Sequence, residues 1–204
     1  AVEDYANFLY SACHKDFSRL FNFDGFEKPK YFITLDADSV LQPKGVLRAV
    51  NVFSHEENEK YDLLAFDGKT NAFSLKTAYA RLFHGGDGYE IYPAYSNLFY
   101  NLTGKSIFTG KGIFNLERYV EKLSGVLPEN RVLSHDIIEG AILGTGASGV
   151  PVYEDAPLCF SSDENRRLRW KRGDVQLLPF VNFTNPKENN KKIDKFYKFL
   201  MFFN

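Results

Sequence analysis

The run Tyr31-Phe32-Ile33-Thr34-Leu35, followed at once by Asp36-Ala37-Asp38, constrains this chain more than any other stretch. Its β-branched and aromatic residues read as a strand over 31–36. The carboxyl end of that strand delivers two acids to one point. Asp36 and Asp38 are two apart, so on an extended backbone both side chains leave from the same face. Two hard oxygen ligands in that position suit a divalent cation that also holds phosphate. They equally suit a plain turn, since Asp is a common turn residue. Both readings are open on these three residues alone.

The rest of the chain supplies helices around such a strand. Val2, Tyr5, Phe8, Leu9, Cys13, Phe17 and Leu20 recur at threes and fours, predicting an amphipathic helix over 2–21. Asp24-Gly25 reads as a turn. Pro43 and the apolar residues after Gly45 predict a helix with proline in its first turn. Tyr61 to Phe66 and Ala72 to Leu75 read as two short strands around Asp67-Gly68. A helix follows near 76–83, then a Gly-rich loop over 84–88. Ile107-Phe108-Thr109 reads as a strand, Gly110-Lys111-Gly112 as a tight turn, and Leu116 to Leu123 as a helix. Asp136 stands where a helix N-cap belongs, with Glu139 three residues on. Val150 to Tyr153 reads as a short strand, 163–178 as a basic helix and 182–190 as a polar linker. A last helix is expected over 191–203. Strands alternating with helices indicate an α/β fold, and no internal repeat is present.

The chain has 204 residues, enough for one domain with a core. A net charge of -1 gives no global field to draw nucleic acid. Cys13 and Cys159 are the only cysteines, so neither a disulfide framework nor zinc-ligand spacing exists, and a reducing compartment is the default. No apolar run is long enough to span a bilayer, and the first residues do not read as a signal peptide. Aromatic residues are abundant, at 16%, which fits either a bulky core or a sugar-binding surface.

Three further segments carry possible chemistry. In Leu133-Ser134-His135-Asp136, Asp136 is either a helix cap or a general base within reach of a sugar hydroxyl, with His135 beside it. Five of the seven residues from 166 to 172 are Arg or Lys. They form either a solvated helix face or a functional one. Arg166, Arg169 and Trp170 share one side of a helix. On that side Trp170 offers an apolar platform to a pyranose ring, and Arg169 offers bidentate contacts to a diphosphate. In Thr109-Gly110-Lys111-Gly112 two glycines allow the backbone close to a ligand, although a hairpin turn accounts for them as well. The spacing of a phosphate-binding loop is absent.

The order of these segments resembles the processive inverting glycosyltransferases related to cellulose and chitin synthases: Asp-x-Asp, a Gly-rich turn, an acidic helix start, then Arg-Trp. The closer resemblance is to the glycosyltransferase domain of cyclic β-1,2-glucan synthases. It is carried by Thr34 to Asp38, Ala80-Arg81-Leu82-Phe83, Tyr92-Pro93, Phe108 to Phe114, Pro128-Glu129-Asn130, Leu133 to Asp136, Glu139-Gly140 and Arg169 to Phe180. It covers roughly residues 31–180.

That resemblance implies a GT-A-type domain with a mixed sheet flanked by helices, occupying 1–204 with its core at 31–180 and a C-terminal helix at 191–203. It implies UDP-glucose as donor, Mg²⁺ or Mn²⁺ as cofactor, a glucan acceptor, and inversion at the anomeric carbon to build a β-1,2-glucan. Asp36 and Asp38 would bind metal and donor, with Arg169 on the diphosphate. Asp136 would be the catalytic base. Trp170, Arg166, Lys111, Gly110 and His135 would line the acceptor side. Arg166 replaces the Gln of the wider superfamily, and His135 stands where many relatives have Glu. Asp36 also comes early, since a uridine-binding βαβ unit normally precedes Asp-x-Asp by on the order of a hundred residues. The domain would thus be truncated at its N-terminus, and on that reading inactive alone. The remaining partners would be the rest of a larger membrane-bound synthase, at the cytoplasmic face of the membrane, and not nucleic acid. The C-terminal helix would lie on the membrane surface or pack on its own domain. The alternatives are a transferase for another β-glucan or polysaccharide, and a non-catalytic carbohydrate-binding fragment.

Overall fold

A computed structural model describes residues 4, 6, 7, 9, 10, 29–85, 100–126, 135–182, 184–185, 187 and 191–192. The expected features at 11–28, 86–99, 127–134 and 193–204 lie outside the described residues. Of the expected first helix, residues 4, 6, 7, 9 and 10 are helical, and Ala6 is buried.

Five strands form one mixed sheet in the order β1-β4-β3-β5-β2. They are β1 (Tyr31–Thr34), β2 (Val40–Leu41), β3 (Leu63–Thr70), β4 (Gly112–Asn115) and β5 (Thr145–Glu154). β3 and β5 run parallel, and the other pairs are antiparallel. The helices around them are α1 (Gly45–Phe53), α2 (Ala78–His84), α3 (Leu116–Leu123), α4 (Asp136–Leu143) and α5 (Phe160–Leu177). The protein is therefore mixed α/β, a mixed sheet flanked by helices.

The run Tyr61 to Phe66 is continuously apolar apart from Asp62 because β3 is covered on both faces. Successive side chains point to opposite sides. Leu63 and Ala65 enter a core with Phe32, Phe114, Tyr119, Ile138 and Leu143, from β1, β4, α3 and α4. Leu64 and Phe66 enter a second core with Ala49, Phe53, Ile113 and Val152, from α1, β4 and β5. Phe32 stacks on Phe114 at 4.7 Å and meets Tyr119 edge-on at 5.2 Å, so β1, β4 and α3 share one aromatic cluster.

α3 matches the expected 116–123, capped by the Asn115 side chain, which accepts from Arg118 N. Several other expectations are corrected. β1 stops at Thr34, and Ser39 N donates to Asp36 O across a turn. The premise of one extended face for both acids therefore does not hold. Asp67-Gly68 does not turn: β3 continues through it, because pairing with β5 extends to Thr70. The expected strand at 72–75 is a single 3-10 turn over Ala72–Ser74, with the Asn71 side chain accepting from Phe73 N. Ile107-Phe108-Thr109 is not a strand. Instead Phe108 drops into the first core against Phe114, and β4 starts at Gly112. The turn before β4 thus leads into a strand and is not a hairpin. Pro43 lies outside α1, which follows Lys44 in a left-handed conformation, φ 64°. The expected short strand at 150–153 is the end of the ten-residue β5. Of the linker and last helix, Thr184–Asn185 and Lys191–Lys192 pair as a two-stranded ribbon, so 191–192 are not helical.

β5 is irregular for a local reason. Ala65 faces Ala147, but Asp67 faces Pro151, so β5 carries two extra residues at that point. Gly149 there has φ 63°, and Val150 N donates to the Ser148 hydroxyl at 3.1 Å. The bulge bends the strand without leaving that N–H orphaned.

Gly146 permits the close approach of β5 to β3. A Cβ there would lie 2.6 Å from the Tyr61 ring and 2.7 Å from Leu64 Cδ2. Gly146→Ala is expected to destabilise the fold by about 1–3 kcal/mol through overpacking. Urea unfolding checks this, and an unchanged midpoint would refute the packing argument.

Candidate active site

The topology sets the site at one edge of the sheet. β4 runs opposite to β1 and β3, so the turn that feeds it sits beside the carboxyl end of β1. That turn is clamped on both sides. The Thr34 hydroxyl donates to Gly110 O at 2.9 Å, and Phe66 N donates to Lys111 O at 3.0 Å. Gly110 has φ 90°, a conformation that favours glycine.

Three sequence-separated acids meet this turn. Lys111 Nζ lies 3.1 Å from Asp36 Oδ2 and 2.5 Å from Glu154 Oε1 at the end of β5. The Lys111 side chain is 11% exposed, while that of Asp36 is 60% exposed. Burial alone would lower the pKa of this ammonium. The close ion pair with Glu154 and the charge of Asp36 outweigh it and raise the pKa. Asp136 lies on the other side of the turn, where a Cβ built on Gly110 would sit 3.2 Å from Asp136 Oδ2. Asp36, Gly110, Lys111 and Asp136 therefore belong to one place. Asp38 is exposed and follows in the turn, with no hydrogen bond or ion pair to the described residues.

Asp136 does not cap its helix. It is the first residue of α4, and His135, half-buried, holds the cap position without a side-chain capping bond. The positive end of α4 favours negative charge at that point. The Asp36 side chain does not cap its own turn either, since it is directed to Lys111.

The Arg-Trp segment is organised by a residue with no local sequence signal. Asp163, in the first turn of α5, is buried. It accepts from Tyr79 Oη at 2.8 Å and from Arg167 Nη2 at 3.1 Å, and lies 3.4 Å from His84 Nε2 and 4.0 Å from Arg166 Nη2. α2 and the start of α5 are thus fastened through one carboxylate. Burial raises the Tyr79 pKa, reinforced by the hydrogen bond to Asp163 and its charge. Burial lowers that of His84 against the pull of Asp163. The Arg166 guanidinium rests 4.8 Å from the centre of the Trp170 ring, as their spacing of four predicts, and both are partly exposed. Arg169 is exposed and forms no ion pair with the described residues. No described hydrogen bond, ion pair or ring contact joins Arg166, Arg169 or Trp170 to Asp36 or Lys111.

Among the described residues, no group of three or more His, Cys, Asp or Glu side chains could hold a metal ion. No described helix is long and apolar enough to cross a membrane. Glu154 and Asp163 are the two site residues that sequence reasoning missed. Glu154 follows an ordinary strand, and Asp163 lies in a helix whose basic run dominates its pattern.

No family model matches the chain. A curated protein, the cyclic β-(1,2)-glucan synthase NdvB of Rhizobium meliloti (strain 1021), is 30% identical to it over 177 residues. The match covers 79% of the chain and 6% of that relative's length, so the chain spans a small part of the relative it matches.

Two outcomes follow from this geometry. Gly110→Ala is expected to cost about 1–3 kcal/mol in thermal unfolding, because an alanine there is strained and crowds Asp136. Asp163→Ala is expected to cost about 2–4 kcal/mol in urea unfolding, since it removes a buried acceptor shared by α2 and α5. An effect below about 0.5 kcal/mol, the range of ordinary surface changes, would refute either.

Proposed function

We propose that this chain is a glycosyltransferase domain of β-glucan synthesis, of the GT-A type, taking glucose from UDP-glucose and inverting its anomeric carbon to form a β-1,2 linkage. One observation carries the reading: Asp36 and Asp136, a hundred residues apart in sequence, flank the Gly110-Lys111 turn at the open edge of the sheet. The similarity to a cyclic β-(1,2)-glucan synthase supports the choice of sugar chemistry for that arrangement.

On this reading Asp136 is the general base. The acceptor's hydroxyl oxygen forms a bond to the anomeric carbon as the bond from that carbon to the diphosphate oxygen breaks. The hydroxyl proton passes to the Asp136 carboxylate. Attack from the face opposite the leaving group inverts the centre. Gly110 keeps the backbone low beside Asp136, leaving room for the acceptor, with His135 at the same helix start. Trp170, partly exposed and backed by Arg166, offers a ring to an acceptor pyranose. Arg169 offers a planar donor pair to the departing diphosphate.

Asp36 and Asp38 would hold Mg²⁺ or Mn²⁺. Their chemistry supports this: two exposed carboxylates two residues apart would leave the remaining positions to water and phosphate oxygens. When bound, the ion would neutralise charge on the diphosphate. The remaining partners on this reading are the other parts of a larger synthase at the cytoplasmic membrane face.

In the intact protein, Asp136→Asn is expected to lower glucan formation from UDP-glucose by about 10²–10⁴-fold or more, with donor affinity within about twofold. Radiolabelled transfer and equilibrium binding check the two halves. Turnover like that of the native protein would sink the base assignment, and a product without β-1,2 linkages would sink the linkage.

A further inference from the structure

Lys111 carries a contact that its own burial does not demand. Its ammonium is nearly enclosed, and a buried ammonium needs a carboxylate. Glu154 already supplies one at 2.5 Å, from a side chain 26% exposed. The second contact, at 3.1 Å, reaches an acid that solvent could hydrate unaided. The backbone that carries Lys111 is also held, since Thr34 and Phe66 clamp the turn on both sides. A fixed positive charge is thereby laid against the first acid of Asp-x-Asp.

We propose that Lys111, which the family resemblance implies on the acceptor side, is instead a donor-side residue anchored by Glu154, holding Asp36 in place and giving its ammonium to the donor's diphosphate when a metal-bound diphosphate arrives. This rests on the nucleotide-sugar reading of the site and deepens it. Glu154 is then a positioning residue, acting through Lys111. The electrostatics have opposite signs for the two ligands. An ammonium beside Asp36 repels a bare divalent cation and attracts a polyphosphate. Lys111 therefore lowers affinity for the metal alone and raises affinity for the metal with diphosphate. A purely structural role would move both in the same direction.

The test uses the 204-residue chain, Mn²⁺ alone followed by electron paramagnetic resonance, and inorganic pyrophosphate in the presence of Mn²⁺ followed by calorimetry. Pyrophosphate does not need a uridine pocket. Lys111→Met is expected to tighten Mn²⁺ binding by about fivefold and to weaken pyrophosphate binding by about tenfold. Glu154→Gln removes an acid and frees Lys111 for Asp36, and is expected to weaken Mn²⁺ binding by about fivefold. Lys111→Arg keeps the charge and is expected to retain pyrophosphate affinity within about threefold. Mn²⁺ binding that is absent, or indifferent to Asp36→Asn, overturns the metal reading and this inference with it. Mn²⁺ binding that depends on Asp36, with both affinities unchanged or falling together in Lys111→Met, overturns the Lys111 assignment alone. Should Lys111→Met fail to fold, Glu154→Gln decides: unchanged Mn²⁺ affinity overturns the proposal.

Discussion

The central strand β3 is the constraint on which the rest depends. It is covered on both faces and paired along both edges, antiparallel to β4 and parallel to β5. Those two directions decide where chemistry can sit. An antiparallel neighbour brings its beginning to the region where β3 leaves the core, and a parallel neighbour brings its end. The first residues of β4 and the last residue of β5 thus approach each other, and Lys111 meets Glu154 there. β1, antiparallel to β4 on its far edge, adds its own carboxyl end and Asp36. Strand direction brings these ends to one side of the sheet, and the Lys111 side chain spans the remaining distance to Glu154.

The opposite end of β3 shows what a structural ion cluster looks like in the same protein. Asp62 is nearly fully buried, and both of its oxygens are taken, by Arg118 Nη1 at 2.9 Å and Lys122 Nζ at 2.6 Å from α3. Arg118 also donates to the carbonyls of Glu59 and Tyr61. That network is closed and ties α3 to the start of β3. At the carboxyl edge the same kinds of group are left open. Asp36 uses one oxygen on one lysine and is mostly exposed. Closed networks resist change and open ones can exchange partners, and the difference here is geometric rather than compositional.

What could be read from the sequence divides along the line between local and long-range causes. α3 was legible because its apolar spacing and its Asn115 cap are both local. The Arg166–Trp170 contact was legible because helical spacing fixes it. The break between two short strands expected around Asp67-Gly68 is absent, since the local preference of Asp-Gly yields to seven pairings with β5. The strand expected at 107–109 failed differently. Its apolar residues answer the demand of the core for Phe108 rather than the demand of a sheet for another edge. Asp36 and Asp136 carried motif signals, but their shared turn did not, because the proximity of Gly110 to Asp136 is a tertiary fact. Glu154 and Asp163 carried no signal at all, as each acquires meaning only from partners many residues away.

Asp163 changes the meaning of the basic run it precedes. Read linearly, five cations in seven residues form one charged face. In the fold the run is divided. Arg167 pairs with a buried carboxylate that also receives Tyr79, and Arg166 lies at 4.0 Å from it, while both arginines stay partly exposed. Arg169, Lys171 and Arg172 remain exposed, and Trp170 lies among them with its ring supported by Arg166. A solvated face would need no such internal anchor. The division leaves three exposed cations close in sequence to one indole, on a helix whose start is fastened through Asp163 to α2.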